Sequence, residues 1–131
     1  MKLNELSAHE LAAKLARREA NCESLTRSCL ERIEAREPFV GAWVHLDPNA
    51  AIAQARRLDQ QPASGCLYGM GIGVKDVIDT ADMPTEYGSP IYAGHRPAAD
   101  AGCVAMARRA GALVLGKTVT TQFASFDPAI T

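Results

Sequence analysis

The sequence predicts an α/β fold in which helices pack over a β-sheet. Three observations carry the prediction. Stretches with helical apolar spacing alternate with short extended ones. The segment "ALVLG", residues 112–116, is a continuous apolar run of the kind a strand buried on both faces shows. The segment "YGMGIGVKDVID", residues 68–79, reads as a glycine-laced strand and its exit. With 131 residues, 47% of them hydrophobic, the chain can build the core of one domain and is short for two.

The elements follow in order. Ser7 and Glu10 form a capping box, and Leu11 and Leu15 repeat at helical spacing behind it, predicting a helix over about 8–19. Ser24 is the expected cap of a second helix, with Leu30 and Ile33 as its apolar stripe, Thr26 and Cys29 beside it, and Pro38 as its stop. "GAWVHLD" reads as a short strand. Asp47 followed by Pro48 starts a third helix, because proline has no amide hydrogen to leave unpaired at the first helical position. Ala51, Ile52, Ala55 and Leu58 line one side of it. After the "QQPASG" loop and the glycine-laced strand, residues 79–98 hold Pro84, Gly88, Pro90, Gly94 and Pro97 and read as irregular turns. Asp100 is the expected cap of a fourth helix that runs to Ala110, with Val104 and Ala107 turned inward, and Gly111 ends it ahead of the apolar strand.

Composition excludes several function classes. The formal charge of −1 and the scatter of Lys and Arg along helical stretches argue against nucleic acid or an acidic membrane surface as partner. No apolar run approaches the length of a membrane span. Cys22, Cys29, Cys66 and Cys103 show no CxxC spacing, and His9, His45 and His95 lie far apart, so neither a metal site nor a disulfide framework is expected. The N-terminus is amphipathic and contains acids, unlike a signal or transit peptide. The expected location is the cytoplasm.

"GALVLGKT", residues 111–118, fits a phosphate-binding pattern letter for letter. The context decides against that chemistry. A P-loop needs a strand before its first glycine and a helix after its lysine. Here a helix precedes Gly111, the four intervening residues are themselves the strand, and the β-branched "TVTTQFAS" follows. A strand's amides are committed to its neighbours and cannot wrap an anion.

A better candidate is "GIGVKDVID", residues 71–79. If the segment is extended, Met70, Ile72, Val74 and Asp76 share one face, and Gly71, Gly73, Lys75 and Val77 share the other. The missing glycine side chains would leave room beside Lys75. An amine in such a recess, away from water, would have its pKa lowered toward neutrality, as a lysine base requires. The other reading is a lysine that reaches solvent from a strand end with Asp76 as its partner.

"GVKDVIDTADMPTEYGSP" and then "PAADAGCVAMARRAGALVLGKTVTTQFA" resemble the N-terminal part of the amidase signature family. The resemblance extends upstream through "LDPNAAIAQARRLD" and the two opening helices, so it covers nearly the whole chain; the patch from Leu67 to Ala124 makes it specific. It implies one partial amidase-signature domain over 1–131, with a helical region to about 60 and a lysine-bearing region beyond it. Helices would pack on a mixed β-sheet that is incomplete. It implies that Lys75 is the catalytic lysine of a Ser–cis-Ser–Lys triad that hydrolyses a small-molecule amide through an acyl-serine, with no metal or organic cofactor. The family's two serines lie in a Gly/Ser-rich segment some tens of residues beyond the lysine, and no such segment occurs before Thr131. Ser89 matches a structural turn; Ser28, Ser64 and Ser125 sit in no nucleophile turn; Gln122 stands where many members have glutamate.

These 131 residues by themselves are therefore expected not to hydrolyse amides. Strand edges and apolar surface left uncovered would favour self-association or association with a C-terminal part. The alternative is a non-catalytic binding or assembly module on the same scaffold, which the coding sequence after Thr131 would separate from the first reading. The resemblance leaves open a stand-alone amidase or one component of an amidotransferase.

Overall fold

The computed structural model describes residues 2–126. The first helix, α1 (Ala8–Ala16), starts on the expected box: Ser7 Oγ accepts from the Glu10 amide and the Glu10 carboxylate accepts from the Ser7 amide. It ends three residues earlier than its apolar spacing suggests, because Arg18 takes a left-handed φ of 56° and turns the chain.

Helix α2 (Cys22–Val40) corrects the sequence reading at both ends. Its cap is Asn21, whose side chain accepts from the Ser24 amide at 2.7 Å, and Ser24 is the reciprocating third residue. The amides of Cys22 and Glu23 donate to the Asp59 carboxylate at 2.7 and 3.0 Å, so a distant acid completes the cap. Pro38 does not stop the helix. In the last turn it removes only the bond that the Glu34 carbonyl would accept, and the helix closes at Gly41, whose φ of 58° lets its amide reach the Glu37 carbonyl.

Strand β1 (Trp43–Leu46) leads into α3 (Pro48–Asp59), capped by Asp47 with Pro48 in the first turn, as expected. After the loop comes β2 (Gly71–Lys75), then the irregular stretch, with one 3-10 turn at Pro90–Tyr92. Helix α4 (Gly102–Arg109) begins on Ala101, not Asp100. Asp100 is drawn away because its carboxylate accepts from the Ala81 amide at 2.8 Å and pairs with Arg108 at 3.0 Å. Strand β3 (Leu113–Thr118) is longer than its apolar run and includes Lys117 and Thr118.

The sheet is mixed, in the order β1-β3-β2, with β1 antiparallel and β2 parallel to the central β3. Gly116 sits where β1 crosses closest: a Cβ there would lie 2.3 Å from the His45 carbonyl oxygen. One sheet face packs against the N-terminal helices through Leu11, Leu15, Cys22, Leu25, Ala51, Ala55, Leu113 and Leu115. The other packs Val74 and Val114 against Met83 and Val104. Each large aliphatic side chain buried this way contributes about 1.5–3 kcal/mol.

Burial also sorts the four thiols, all of them free. Cys22 is fully buried and its thiol is pushed up to about 11, chiefly by that burial; Cys29 is half-buried and also raised by burial. Cys66 and Cys103 are exposed. A thiol reagent at pH 8 should therefore modify two cysteines rapidly in the folded chain and four in denaturant; fast modification of Cys22 in the folded chain would contradict this packing. Since the folded value of Cys22 is raised, its stabilising contribution is complete below about 9, the ordinary value, and disappears as pH rises through about 11.

Candidate functional site

The predicted alternation along β2 is present. Val74 and Asp76 are buried, while Gly71, Gly73 and Lys75 are exposed on the other face. The recess expected beside Lys75 is not. Leu115 fills the space over Gly71, and Thr118 and the Trp43 ring fill that over Gly73: a Cβ at Gly71 would lie 2.9 Å from Leu115 Cδ1, and one at Gly73 would lie 2.8 Å from Thr118 Cγ2. The glycines serve close approach of neighbouring side chains, not a cavity. Lys75 stands exposed at the C-terminal end of an edge strand, and no hydrogen bond or ion pair holds its amine among the described residues.

Nor is Asp76 the partner of Lys75. It turns to the opposite face and pairs with Lys117 at 3.2 Å, with the two side chains 1% and 0% exposed. Lys117 Nζ also donates to Thr85 Oγ1 at 2.6 Å and to the Pro84 carbonyl at 3.2 Å, so all three of its hydrogens have acceptors. Asp76 accepts from the Glu86 amide at 3.2 Å. Burial pushes the Lys117 amine below the ordinary lysine value, and the bond to Asp76 opposes that shift. The pair also accounts for the false phosphate motif: Gly111, at φ 92°, closes α4, residues 113–118 are strand, and the motif's lysine is locked inside the fold.

This pair was missed in the sequence. Its signals were present, namely an acid alternating onto the buried face of β2 and a lysine at the end of an apolar strand. What joins them is the register Val74↔Lys117, which the sequence does not display.

Beyond the strand ends, a cavity of about 470 Å³ is lined by Val44, Asp76, Glu86, Ser89, Thr120 and Gln122. Ser89 is 4% exposed, and its Oγ accepts from Gln122 Nε2 at 3.1 Å. Its backbone closes the turn, with the Ser89 amide donating to the Glu86 carbonyl and the Tyr92 amide donating to the Ser89 carbonyl. Gln122 thereby gains a role that the sequence left open: it ties the segment after β3 to this turn. Tyr87 packs beside it at a left-handed φ of 56°; its hydroxyl donates to Asp79 at 2.7 Å, and that bond, with burial, pushes the phenol up to about 12. Ser28, on α2, accepts from the Asn4 amide, and Ser125 is exposed. Among the described residues no three His, Cys, Asp or Glu side chains converge in a way that could hold a metal ion, and no helix is long and apolar enough to cross a membrane.

The Amidase family matches this chain over residues 24–128, which include both sheet faces and the whole lysine-bearing strand. The chain belongs to the amidase family. Among relatives of this amidase chain, a glutamyl-tRNA(Gln) amidotransferase subunit from Mycobacterium tuberculosis is 41% identical over 122 residues, covering 89% of this chain and 25% of the relative. The protein of the same name from Nitratidesulfovibrio vulgaris is 43% identical over 124 residues, covering 93% and 25%. Of solved structures, native peptide amidase from Stenotrophomonas maltophilia superposes with a TM-score of 0.84 at 34% identity, covering 91% of this chain and 26% of that one. Fatty acid amide hydrolase gives 0.85 at 22% identity, a likeness of fold. The amidase chain thus spans about a quarter of the length of the relatives it matches. Its mixed α/β architecture corresponds to the N-terminal part of that fold.

Proposed function

We propose that this chain supplies the general base of an amide hydrolase, and that the base is Lys75. The Lys75 amine takes a proton relayed through a bridging serine from a second serine, which attacks the amide carbon. The C–N bond breaks, ammonia or an amine departs with the proton, and water releases the acid from the acyl-serine. The carrying observation is position: within the matched residues 24–128, Lys75 ends β2, in the parallel pair β2–β3, with its amine free of partners among the described residues. In open α/β sheets the ends of parallel strands are where ligands gather. The relatives' names, a peptide amidase and amidotransferase subunits, support an amide as substrate class.

Both serines and the oxyanion-binding amides would come from sequence outside residues 1–131, which hold no Gly/Ser-rich run. The outer edges of β1 and β2, and the exposed Phe39, Ile91 and Phe126, offer surface for self-association or for further parts of such a domain. The experiment has two arms. The full-length protein is incubated with simple carboxamides, and ammonia release and an acyl-adduct mass are read; the 131-residue polypeptide is treated in parallel. Hydrolysis by the first and none by the second is expected. Neither hydrolysis nor adduct in the full-length protein would overturn the proposal in favour of a non-catalytic module, and turnover by the 131 residues that vanishes on Lys75→Ala would overturn the need for outside serines.

A further inference from the structure

We infer that the buried pair Asp76–Lys117 is a positioning device for Lys75, an inference that rests on the reading of Lys75 as the base. Lys75 needs such a device because, among the described residues, only its backbone is held, by pairing with Thr118 and by the Ile78 amide at 2.9 Å, and nothing holds its amine. It closes an edge strand, its side chain is exposed, and strand ends fray. A base must nonetheless meet its proton within a few tenths of an ångström.

The residue that follows Lys75 is held from every side. The Asp76 amide donates to the Thr118 carbonyl at 2.9 Å, which carries the β2–β3 ladder one residue past Lys75. The Asp76 carbonyl accepts from the Tyr87 amide at 2.9 Å. Its carboxylate accepts from Lys117 at 3.2 Å and from the Glu86 amide at 3.2 Å. Lys117 in turn grips Thr85 and the Pro84 carbonyl. One ammonium therefore joins β2, β3 and the 84–86 segment at the level where Lys75 pairs with Thr118. Lys75 leaves the backbone exposed at the strand end, between two residues, Val74 and Asp76, that are buried on the opposite face. Its Cα–Cβ direction is set by that anchoring.

An apolar pair of similar volume could fill the same space, since a buried ion pair is rarely the more stable choice. It could not aim the 84–86 backbone and the Asp76 peptide by directional bonds. That difference separates positioning from support.

The test is a double-mutant cycle in the full-length protein. Asp76→Asn keeps the shape and the acceptor for the Glu86 amide, and should lower kcat about 10- to 100-fold with KM nearly unchanged, the scale of an ångström-level misplacement. In a Lys75→Ala background the same change should lower the residual rate by less than about twofold, because its effect passes through Lys75. If far-UV circular dichroism shows Asp76→Asn unfolded, Thr85→Ala, which removes one acceptor of Lys117, is read in the same cycle. A silent substitution, or equal penalties in both backgrounds, overturns the positioning role alone. Full turnover in Lys75→Ala overturns the base assignment and this inference together.

Discussion

Lys75→Ala in the full-length protein should lower kcat for a simple carboxamide by about 10⁴-fold, while KM stays close to its original value. The size follows from interdependence. A serine hydroxyl is too weakly acidic to attack unaided, and with its proton acceptor removed the remaining members of the unit lose their function together. Substrate still binds, because Lys75 meets the proton and not the amide's side chain. Lys75→Arg gives the sharper result. Arginine keeps the reach and the positive charge but does not deprotonate in proteins, so it should be as inactive as alanine. Activity restored by arginine would mean that the residue works as a fixed charge, and the general-base assignment would fall. Steady-state kinetics on the three proteins decide it.

The largest expected effect on stability belongs to the other lysine. Lys117→Met should destabilise the fold by about 3–5 kcal/mol, read from urea unfolding, because Asp76 is left as a buried carboxylate without its counter-charge. The double substitution Lys117→Met with Asp76→Leu should recover most of that loss, since no charge then remains buried. A double variant no better than the single would show that packing of the lysine's methylenes dominates. The two lysines separate cleanly: Lys75 should matter to turnover and little to stability, Lys117 to stability first.

The helix caps show how far local chemistry alone could be read. Ser7 with Glu10 and Asp47 with Pro48 act within four residues, and both are where the sequence places them. Asn21 takes the cap from Ser24 through a box that also closes within three residues, but the Asp59 carboxylate that reaches across from α3 to the Cys22 and Glu23 amides, and the capture of Asp100 by Ala81 and Arg108, are long-range. Which of two possible partners a side chain takes is decided by what the fold brings beside it.

The same division runs through the site. Legible in the residues alone were the strand character of 71–75, the alternation that sends Lys75 and Asp76 to opposite faces, the misfit of the phosphate motif and the family to which the chain belongs. These depend on period, spacing and motif, which are properties of neighbours along the chain. It took the folded molecule to show that Asp76 belongs to Lys117, that Trp43, Leu115 and Thr118 close the space over the two glycines, and that Gln122 holds Ser89. Each of those is a contact between residues more than twenty-five positions apart. It is set by strand register and by which polar groups lose water together, and neither quantity is written in any local stretch of sequence.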